Sequence, residues 1–202
     1  MSSSSVDLYV DPVCPFAWLA FRWLTGEVEP VRDLHLRVRL MSLAVLNEGR
    51  DGHMPEADKG DDSAWRPVRV GHALAERGGE QAVREFVRAF GTRFHDQELR
   101  GRDRVLREVL SEMDAEDLYD AADSRSRDES VRRVHAEGME PVGNEVGTPV
   151  LHVDGVAFFG PVLGAVPRGQ DAVDMFDGAV RLARFPAFYE LKRSRSQGIS
   201  FA

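Results

Sequence analysis

Apolar and polar residues alternate along two short stretches near the start of the chain, residues 7–10 and residues 34–40. Strict alternation is typical of a strand buried on one face. Between them, apolar residues recur at helical intervals from Pro15 onward, and Gly26 and Pro30 are expected to end that helix. This part of the chain therefore predicts strand, helix, strand, most simply a parallel pair of strands joined by a crossover helix.

The middle of the chain has a different pattern. Residues 47–62 are polar and rich in Gly and Asp, which predicts a loop or a mobile lid. Apolar residues at helical spacing follow, in segments near 68–75, 83–90, 105–113, 116–123 and 127–138. Strands return after Gly147, where Asp154-Gly155 between two apolar runs predicts a hairpin with a type I′ turn. A last helix is predicted over about 170–184.

This order of elements predicts an α/β fold that is interrupted by a block of helices. We divide the chain into a first part over residues 1–46, a loop and helical insertion over 47–140, and a second part over 141–202. The second part carries the hairpin and the last helix.

Composition and charge narrow the class of protein. Hydrophobic residues make up 43% of the chain and its net charge is -8, values that fit a soluble protein and argue against nucleic-acid binding. No apolar run approaches the ~20 residues that span a bilayer, and the first residues lack the features of a secretory signal. We therefore expect a cytoplasmic protein without nucleic-acid or membrane partners.

Cys14 is the single cysteine, so the chain cannot form an internal disulfide. It lies where the first predicted strand gives way to a helix, and Pro15 is suited to the first helical position. Cys14 would then face the free N–H groups of the first turn, which stabilise a thiolate and should bring its pKa below ~8.5. The alternative is an inert, buried cysteine, but the strand–Cys–Pro–helix context favours a reactive thiol.

A second motif, Gly147-Thr148-Pro149, leads into the late strand. Proline at the start of a strand is tolerated where the sheet does not need its N–H. A cis bond before Pro149 would leave the Thr148 backbone free to pair with an extended thiol ligand. The alternative is an ordinary proline of an edge strand, and the partnership with Cys14 is what favours the cis bond.

These two motifs resemble the DsbA-like branch of the thioredoxin superfamily, and other segments resemble the actinobacterial mycothiol-dependent reductases, or nitroreductases, of that branch. The resemblance implies a thioredoxin-like fold with a helical insertion, and a cis-proline that faces the reactive cysteine. It covers nearly the whole chain, and the segments that carry it are Asp11–Trp18, Met41–Glu48, Ala64–Val70, Gly147–Leu163 and Phe188–Arg193.

The chain departs from the family at one position. The usual Cys-Pro-Trp-Cys is replaced by Cys14-Pro15-Phe16-Ala17, so no resolving cysteine is present. We therefore expect a monothiol cycle, in which Cys14 forms a mixed disulfide that a small thiol releases. The resemblance implies mycothiol or a comparable small thiol as cofactor, and an electrophilic or oxidised small molecule or a disulfide as substrate.

The expected thiol site consists of Cys14 as the nucleophile and a groove around it. The groove residues are Pro15, Phe16, Asn47, Trp65, Thr148 and Pro149. Asn47 is equally explained as the residue that starts the loop, and Phe16 and Trp65 are also explained as plain core.

Three further residues are weaker candidates. Arg66 and Arg69 could hold an anionic substituent, and His95 could assist proton transfer, although a solvated or capping histidine is the more frequent case. The histidines show no ligand spacing, so no metal is expected.

Two other functions stay open. Kappa glutathione transferases and chromene-carboxylate isomerases are similar in layout and use a bound thiol without redox turnover, although they commonly have serine at the position of Cys14. A non-catalytic binding protein with a degenerate CxxA site is the third alternative. The sequence does not decide the physiological substrate, nor whether the chain forms a homodimer.

Overall fold

In a computed structural model, which describes residues 4–50 and 56–202, the chain forms a four-stranded mixed sheet with the strand order β2-β1-β3-β4. The strands are β1 (Ser4–Val10), β2 (Leu34–Leu40), β3 (Val150–Val153) and β4 (Val156–Phe159). β1 pairs in parallel with β2 and antiparallel with β3. The predicted parallel pair with its crossover helix is confirmed.

Six α-helices surround this sheet within the described residues. They are α1 (Pro15–Trp23), α2 (Leu43–Leu46), α3 (Trp65–Gly91), α4 (Arg102–Glu112), α5 (Asp128–Met139) and α6 (Gly169–Ala183). α3, α4 and α5 lie between β2 and β3 in the sequence, so the expected helical insertion is present. None of the helices in the described ranges is long and apolar enough to cross a membrane.

The first helical region is longer than the sequence predicted. After α1 the chain continues through a π-helical turn, Leu24–Val28, and a 3-10 turn, Glu29–Val31. Gly26 and Pro30 therefore do not end the helical path. Pro30 occupies the second position of the 3-10 turn, where its missing N–H costs no hydrogen bond.

The predicted loop over residues 47–62 is wrong in its second half, because a short 3-10 helix covers Glu56–Asp62. Residues 51–55 lie outside the described part of the chain. The Glu56 carboxylate orders this helix by accepting hydrogen bonds from Lys59 Nζ at 2.6 Å, Ser63 Oγ at 2.9 Å and the Ala64 N–H at 2.6 Å. The Gly- and Asp-rich composition does not reveal these hydrogen bonds between residues that are close in the sequence.

Two of the predicted helical segments form one element, α3, with a break at Gly79, where φ is +64°. The hairpin is confirmed, since φ is positive at both Asp154 (+49°) and Gly155 (+84°), as a type I′ turn requires.

The main core forms where the sheet packs against α1, α3, α4 and α6. Its largest fully buried side chains include Trp23, Phe86 and Phe90. Burial of this apolar surface stabilises the fold by roughly 25 cal/mol per Å². Cys14 belongs to the same buried cluster, so the core fixes the position of the predicted nucleophile.

Candidate active site

Cys14 lies in the connection between β1 and α1. The Cys14 N–H donates to the Asp11 carbonyl at 3.0 Å, which closes the turn, and Pro15 begins the helix. Cys14 therefore occupies the N-cap position, as predicted, with an extended backbone (φ -85°, ψ 117°). Only 5% of Cys14 is exposed.

Burial dominates the acidity of the thiol. Burial is the main cause and the neighbouring Asp11 carboxylate a smaller one of a raised pKa of Cys14, which lies at about 11. The N–H groups of Ala17 and Phe16 at the helix start act in the opposite direction, although neither forms a full cap hydrogen bond with the sulfur. The expected pKa below ~8.5 is therefore wrong for this state of the molecule, because desolvation of the thiolate outweighs the helix terminus.

Asp11 is a buried acid beside the thiol that the sequence reasoning did not select. Its two carboxylate oxygens accept hydrogen bonds from the N–H of Val13 at 2.9 Å and of Leu43 at 2.6 Å. Burial nevertheless raises the pKa of Asp11 to about 6. Asp11 thus ties the cysteine turn to the start of α2. Its position between the end of β1 and Cys14 was the feature of the sequence that could have identified it as a site residue.

Thr148 and Pro149 lie directly opposite Cys14. The peptide bond between them is cis, and the Cys14 S–H donates to the Thr148 carbonyl at 3.4 Å. The Thr148 hydroxyl is anchored to the Tyr9 carbonyl at 3.1 Å. The Thr148 N–H makes no hydrogen bond with the described residues. The structure therefore brings the two sequence motifs together.

Phe16 and Pro15 follow Cys14 at the start of α1, and both are half-buried. The guanidinium carbon of Arg195, in the C-terminal segment, lies 4.6 Å from the centre of the Phe16 ring. Arg195 also lowers the pKa of the Cys14 thiol through its charge. The sequence analysis assigned no role to Arg195, and nothing in the local pattern around it pointed to Cys14.

Trp65 begins α3 and is buried in a separate cluster that contacts Val13, the residue before Cys14. Trp65 therefore lies near the cysteine turn, but it packs in a different cluster from Phe16. Asn47 follows α2 as its C-cap and is half-buried, and its N–H donates to the Leu43 carbonyl at 3.0 Å. The Asn47 side chain makes no hydrogen bond with the described residues.

The proposed anion-binding role of Arg66 and Arg69 does not fit their contacts. Arg66 is 3% exposed and pairs with Asp103 at 2.7 Å and with Asp123. Arg69 forms a two-pronged contact with Asp128, at 2.7 and 2.9 Å. Both guanidinium groups are already neutralised by carboxylates and hold the insertion together.

His95 is closer to the site than the sequence suggested. It is 6% exposed, and its Nε2 lies 3.0 Å from the Pro12 carbonyl, two residues before Cys14. Burial lowers the pKa of His95, so the ring is neutral and supports the cysteine turn. Within residues 4–50 and 56–202, no group of His, Cys, Asp and Glu is arranged to hold a metal ion.

A buried thiol at a helix N-terminus, facing the carbonyl before a cis-proline in a thioredoxin-like fold, defines a thiol oxidoreductase of the DsbA-like class. Solved structures share this fold. A 2-hydroxychromene-2-carboxylate isomerase is similar with a TM-score of 0.57 and 18% identity, over 89% of this chain and 96% of the other. The cytosolic disulfide reductase DsbM from Pseudomonas aeruginosa with GSH is similar with a TM-score of 0.56 and 15% identity, over 88% and 100%.

The chain belongs to the Rv2466c-like family, described as mycothiol-dependent nitroreductase Rv2466c, whose model matches residues 13–193. A curated relative is the uncharacterized protein Rv2286c of Mycobacterium tuberculosis. It is 30% identical over 198 residues, which cover 96% of this chain and 83% of the relative. The suspected family membership and the DsbA-like fold are confirmed.

Proposed function

We propose that the protein is a reductase that works by a monothiol cycle on Cys14. It uses a small thiol, mycothiol by the description of its family, and reduces an electrophilic or oxidised small molecule or a disulfide. The observation that supports this best is the Cys14 sulfur 3.4 Å from the Thr148 carbonyl, next to Pro149, in a chain with no second cysteine.

The cycle balances without an internal disulfide. The Cys14 thiolate attacks one sulfur of a disulfide substrate, forms a mixed disulfide, and releases the other half as a thiol after protonation. A small thiolate then attacks the sulfur bound to Cys14. The Cys14 thiol is restored and the small thiol leaves in a new disulfide. When a second small thiol reduces that disulfide, two small thiols have supplied the two electrons and become a disulfide.

The raised pKa of Cys14 adds a condition to this cycle. With a pKa of about 11 the thiol holds its proton near neutral pH, and the thiolate is the reactive form. We propose that the attacking species is the small deprotonated fraction of Cys14, whose proton has passed to the solvent. In this proposal a carbonyl of the ligand accepts a hydrogen bond from the Thr148 N–H, which has no partner among the described residues, and Pro15, Phe16 and Pro149 contact the rest of the ligand.

The other candidate residues, Asn47 and Trp65, belong to the α2–α3 side of the groove in this proposal. The Asn47 side-chain amide, which has no hydrogen-bond partner among the described residues, binds a polar group of the thiol cofactor in this proposal. We place the activity in the cytoplasm, where small thiols are kept reduced, and the cycle needs no metal, nucleic-acid or membrane partner.

Replacement of the nucleophile tests the proposal. Wild-type protein treated with the disulfide of mycothiol should gain the mass of one small thiol, and Cys14→Ser should gain none while its thermal unfolding stays close to that of the wild type. Intact-protein mass spectrometry and circular dichroism measure the two results. Wild-type protein that forms no adduct under mild oxidation would contradict the proposal.

The Cys14→Ser variant also distinguishes the second candidate function, a transferase or isomerase, from the monothiol reductase. A transferase or isomerase like the chromene-carboxylate isomerase needs a bound thiol but no sulfur at position 14. Steady thiol-dependent turnover by Cys14→Ser, on a panel of nitroaromatics, peroxides and disulfides, would favour that class. Complete loss of turnover favours the monothiol reductase.

A further inference from the structure

The last residues of the chain form a strap next to the active site. We define this C-terminal strap as residues 194–202, which follow the part matched by the family model. The Ser200 N–H donates to the Gly164 carbonyl at 2.8 Å, and Arg22 Nη1 donates to the Phe201 carbonyl. The Phe201 ring lies 5.7 Å from the ring of His95. The strap is therefore fixed to the body of the protein at its far end.

The strap places one positive charge beside the nucleophile. Arg195 stacks on Phe16, two residues after Cys14, with 4.6 Å between the guanidinium carbon and the ring centre. Arg195 is exposed and forms no hydrogen bond or ion pair with the described residues. Stacking on an aromatic ring holds a guanidinium in place while its N–H groups stay free for an acceptor.

Three other arginines of this region are paired with carboxylates, so their N–H groups are already occupied. Arg22 pairs with Asp96, and Arg69 and Arg132 pair with Asp128 and Glu48. The chain carries a net charge of -8, which disfavours anions in general. The Arg195 guanidinium, which has no partner among the described residues, therefore gives the site a local positive charge in a chain that is negative overall.

We propose that Arg195 is a specificity-determining residue, which binds an anionic group, such as a carboxylate, on the substrate that reacts with Cys14. This inference rests on the proposed function and deepens it, because it names the charge class of the substrate. A guanidinium donates two parallel hydrogen bonds to a carboxylate, so it orients the ligand as well as attracting it.

A pair of small alkylating reagents tests the charge preference directly. Iodoacetate and iodoacetamide are close in size and attack the same thiolate, but only iodoacetate is negatively charged. The ratio of their rate constants on Cys14 therefore cancels any change in the pKa of the thiol. It also requires no knowledge of the cofactor, so it can succeed or fail independently of mixed-disulfide formation.

We expect Arg195→Ala to lower the iodoacetate-to-iodoacetamide ratio by about three- to tenfold, the size of one partly screened unit charge near the sulfur. Arg195→Glu should lower it further. Arg193→Ala is the matched control, because Arg193 is exposed directly before the strap and contacts neither Phe16 nor a carboxylate among the described residues. Its ratio should stay at the wild-type value.

A second measurement extends the test to disulfides. Cys14 should react faster with dithiobis(nitrobenzoate), which carries carboxylates, than with neutral dithiodipyridine, relative to the same comparison in Arg195→Ala. A ratio unchanged within twofold in both Arg195→Ala and Arg195→Glu would overturn the proposal, as would an equal fall in Arg193→Ala. Far-ultraviolet circular dichroism confirms that the variants are folded.

Discussion

Arginine side chains stack on two aromatic residues near the cysteine turn, Trp65 and Phe16. The two contacts differ in whether the arginine is paired with a carboxylate. Trp65 has Arg69 at 4.9 Å and Arg132 at 5.2 Å from its ring centre. Arg69 is held by Asp128, and Arg132 is held by Glu48 at 2.6 and 2.7 Å. Each positive charge is matched by a carboxylate.

The Phe16 contact lacks that match. Its ring is half-buried, and the arginine above it, Arg195, has no acidic partner within the described residues. The comparison shows that the same arginine–aromatic contact can serve two purposes. With its charge neutralised the contact holds elements together, and with its charge free it offers a binding group. The difference lies in the carboxylates rather than in the rings.

The largest expected difference between the two contacts concerns the rings themselves. Trp65→Ala should lower the free energy of unfolding by about 3–5 kcal/mol, because a large buried side chain leaves a cavity. Phe16→Ala should cost only about 1 kcal/mol, since the ring is half-exposed. Urea unfolding followed by circular dichroism measures both. Equal losses would remove the distinction between a structural and a ligand-facing aromatic residue.

Asp11 connects the cysteine turn to the start of α2, and its ionisation should make the stability of the protein depend on pH. Its pKa is raised from 3.8 to about 6 on folding, so the folded protein binds this proton more tightly than the unfolded chain. The stabilising contribution of Asp11 is therefore complete below pH 3.8, its unfolded pKa, and is lost as pH rises from there through about 6. Relative to Asp11→Asn, the wild type should lose about 2–3 kcal/mol of stability between about pH 4 and pH 7.

Paired unfolding experiments across this range measure the effect. The absolute stability of Asp11→Asn will also change, because an amide oxygen replaces two carboxylate oxygens that accept N–H groups. The slope of the difference with pH is the informative quantity. A difference that stays constant from about pH 4 to pH 7 would show that Asp11 does not titrate near 6 in the folded protein.

The smallest expected effect compares the arginines. Arg69→Ala should destabilise the protein by about 2 kcal/mol, since it leaves Asp128 without its partner in a region that is mostly buried. The alkylation ratio of Cys14 should not change. Arg195→Ala should show the reverse, with a stability change within about 0.5 kcal/mol. If Arg69→Ala shifted the ratio as much as Arg195→Ala, the two arginines would not have separate roles.

The sequence predicts the elements around Cys14 well because local rules determine them. A proline at the first helical position and an Asp-Gly turn each specify a backbone conformation within a few residues. The sequence did not predict the extra helical turns up to Val31 or the short helix at Glu56–Asp62, because Gly26, Pro30 and a Gly- and Asp-rich composition indicated breaks in the helical structure.

The chemistry of the site was harder to predict. The helix terminus indicated a low pKa for Cys14, but burial against residues distant in sequence raised it. Arg195 lies 181 positions after Cys14 in the sequence, in a segment without periodic pattern. Only the path of the folded chain brings its charge to Phe16. Arg66 was expected to bind an anionic substituent, and this was wrong, because its carboxylate partners cannot be recognised from the spacing of residues in the sequence.

Ala17 has a consequence for oxidative damage. It is 1% exposed and places a methyl group where related proteins carry a second sulfur. Oxidation of Cys14 by peroxide would produce a sulfenic acid that no neighbouring thiol in this chain can capture. Unless a small thiol arrives first, the next oxidation gives a sulfinic acid and ends the activity. Resistance to oxidation therefore depends on two things: a small thiol that reacts with the sulfenic acid, and burial of the Cys14 sulfur, which limits access of peroxide.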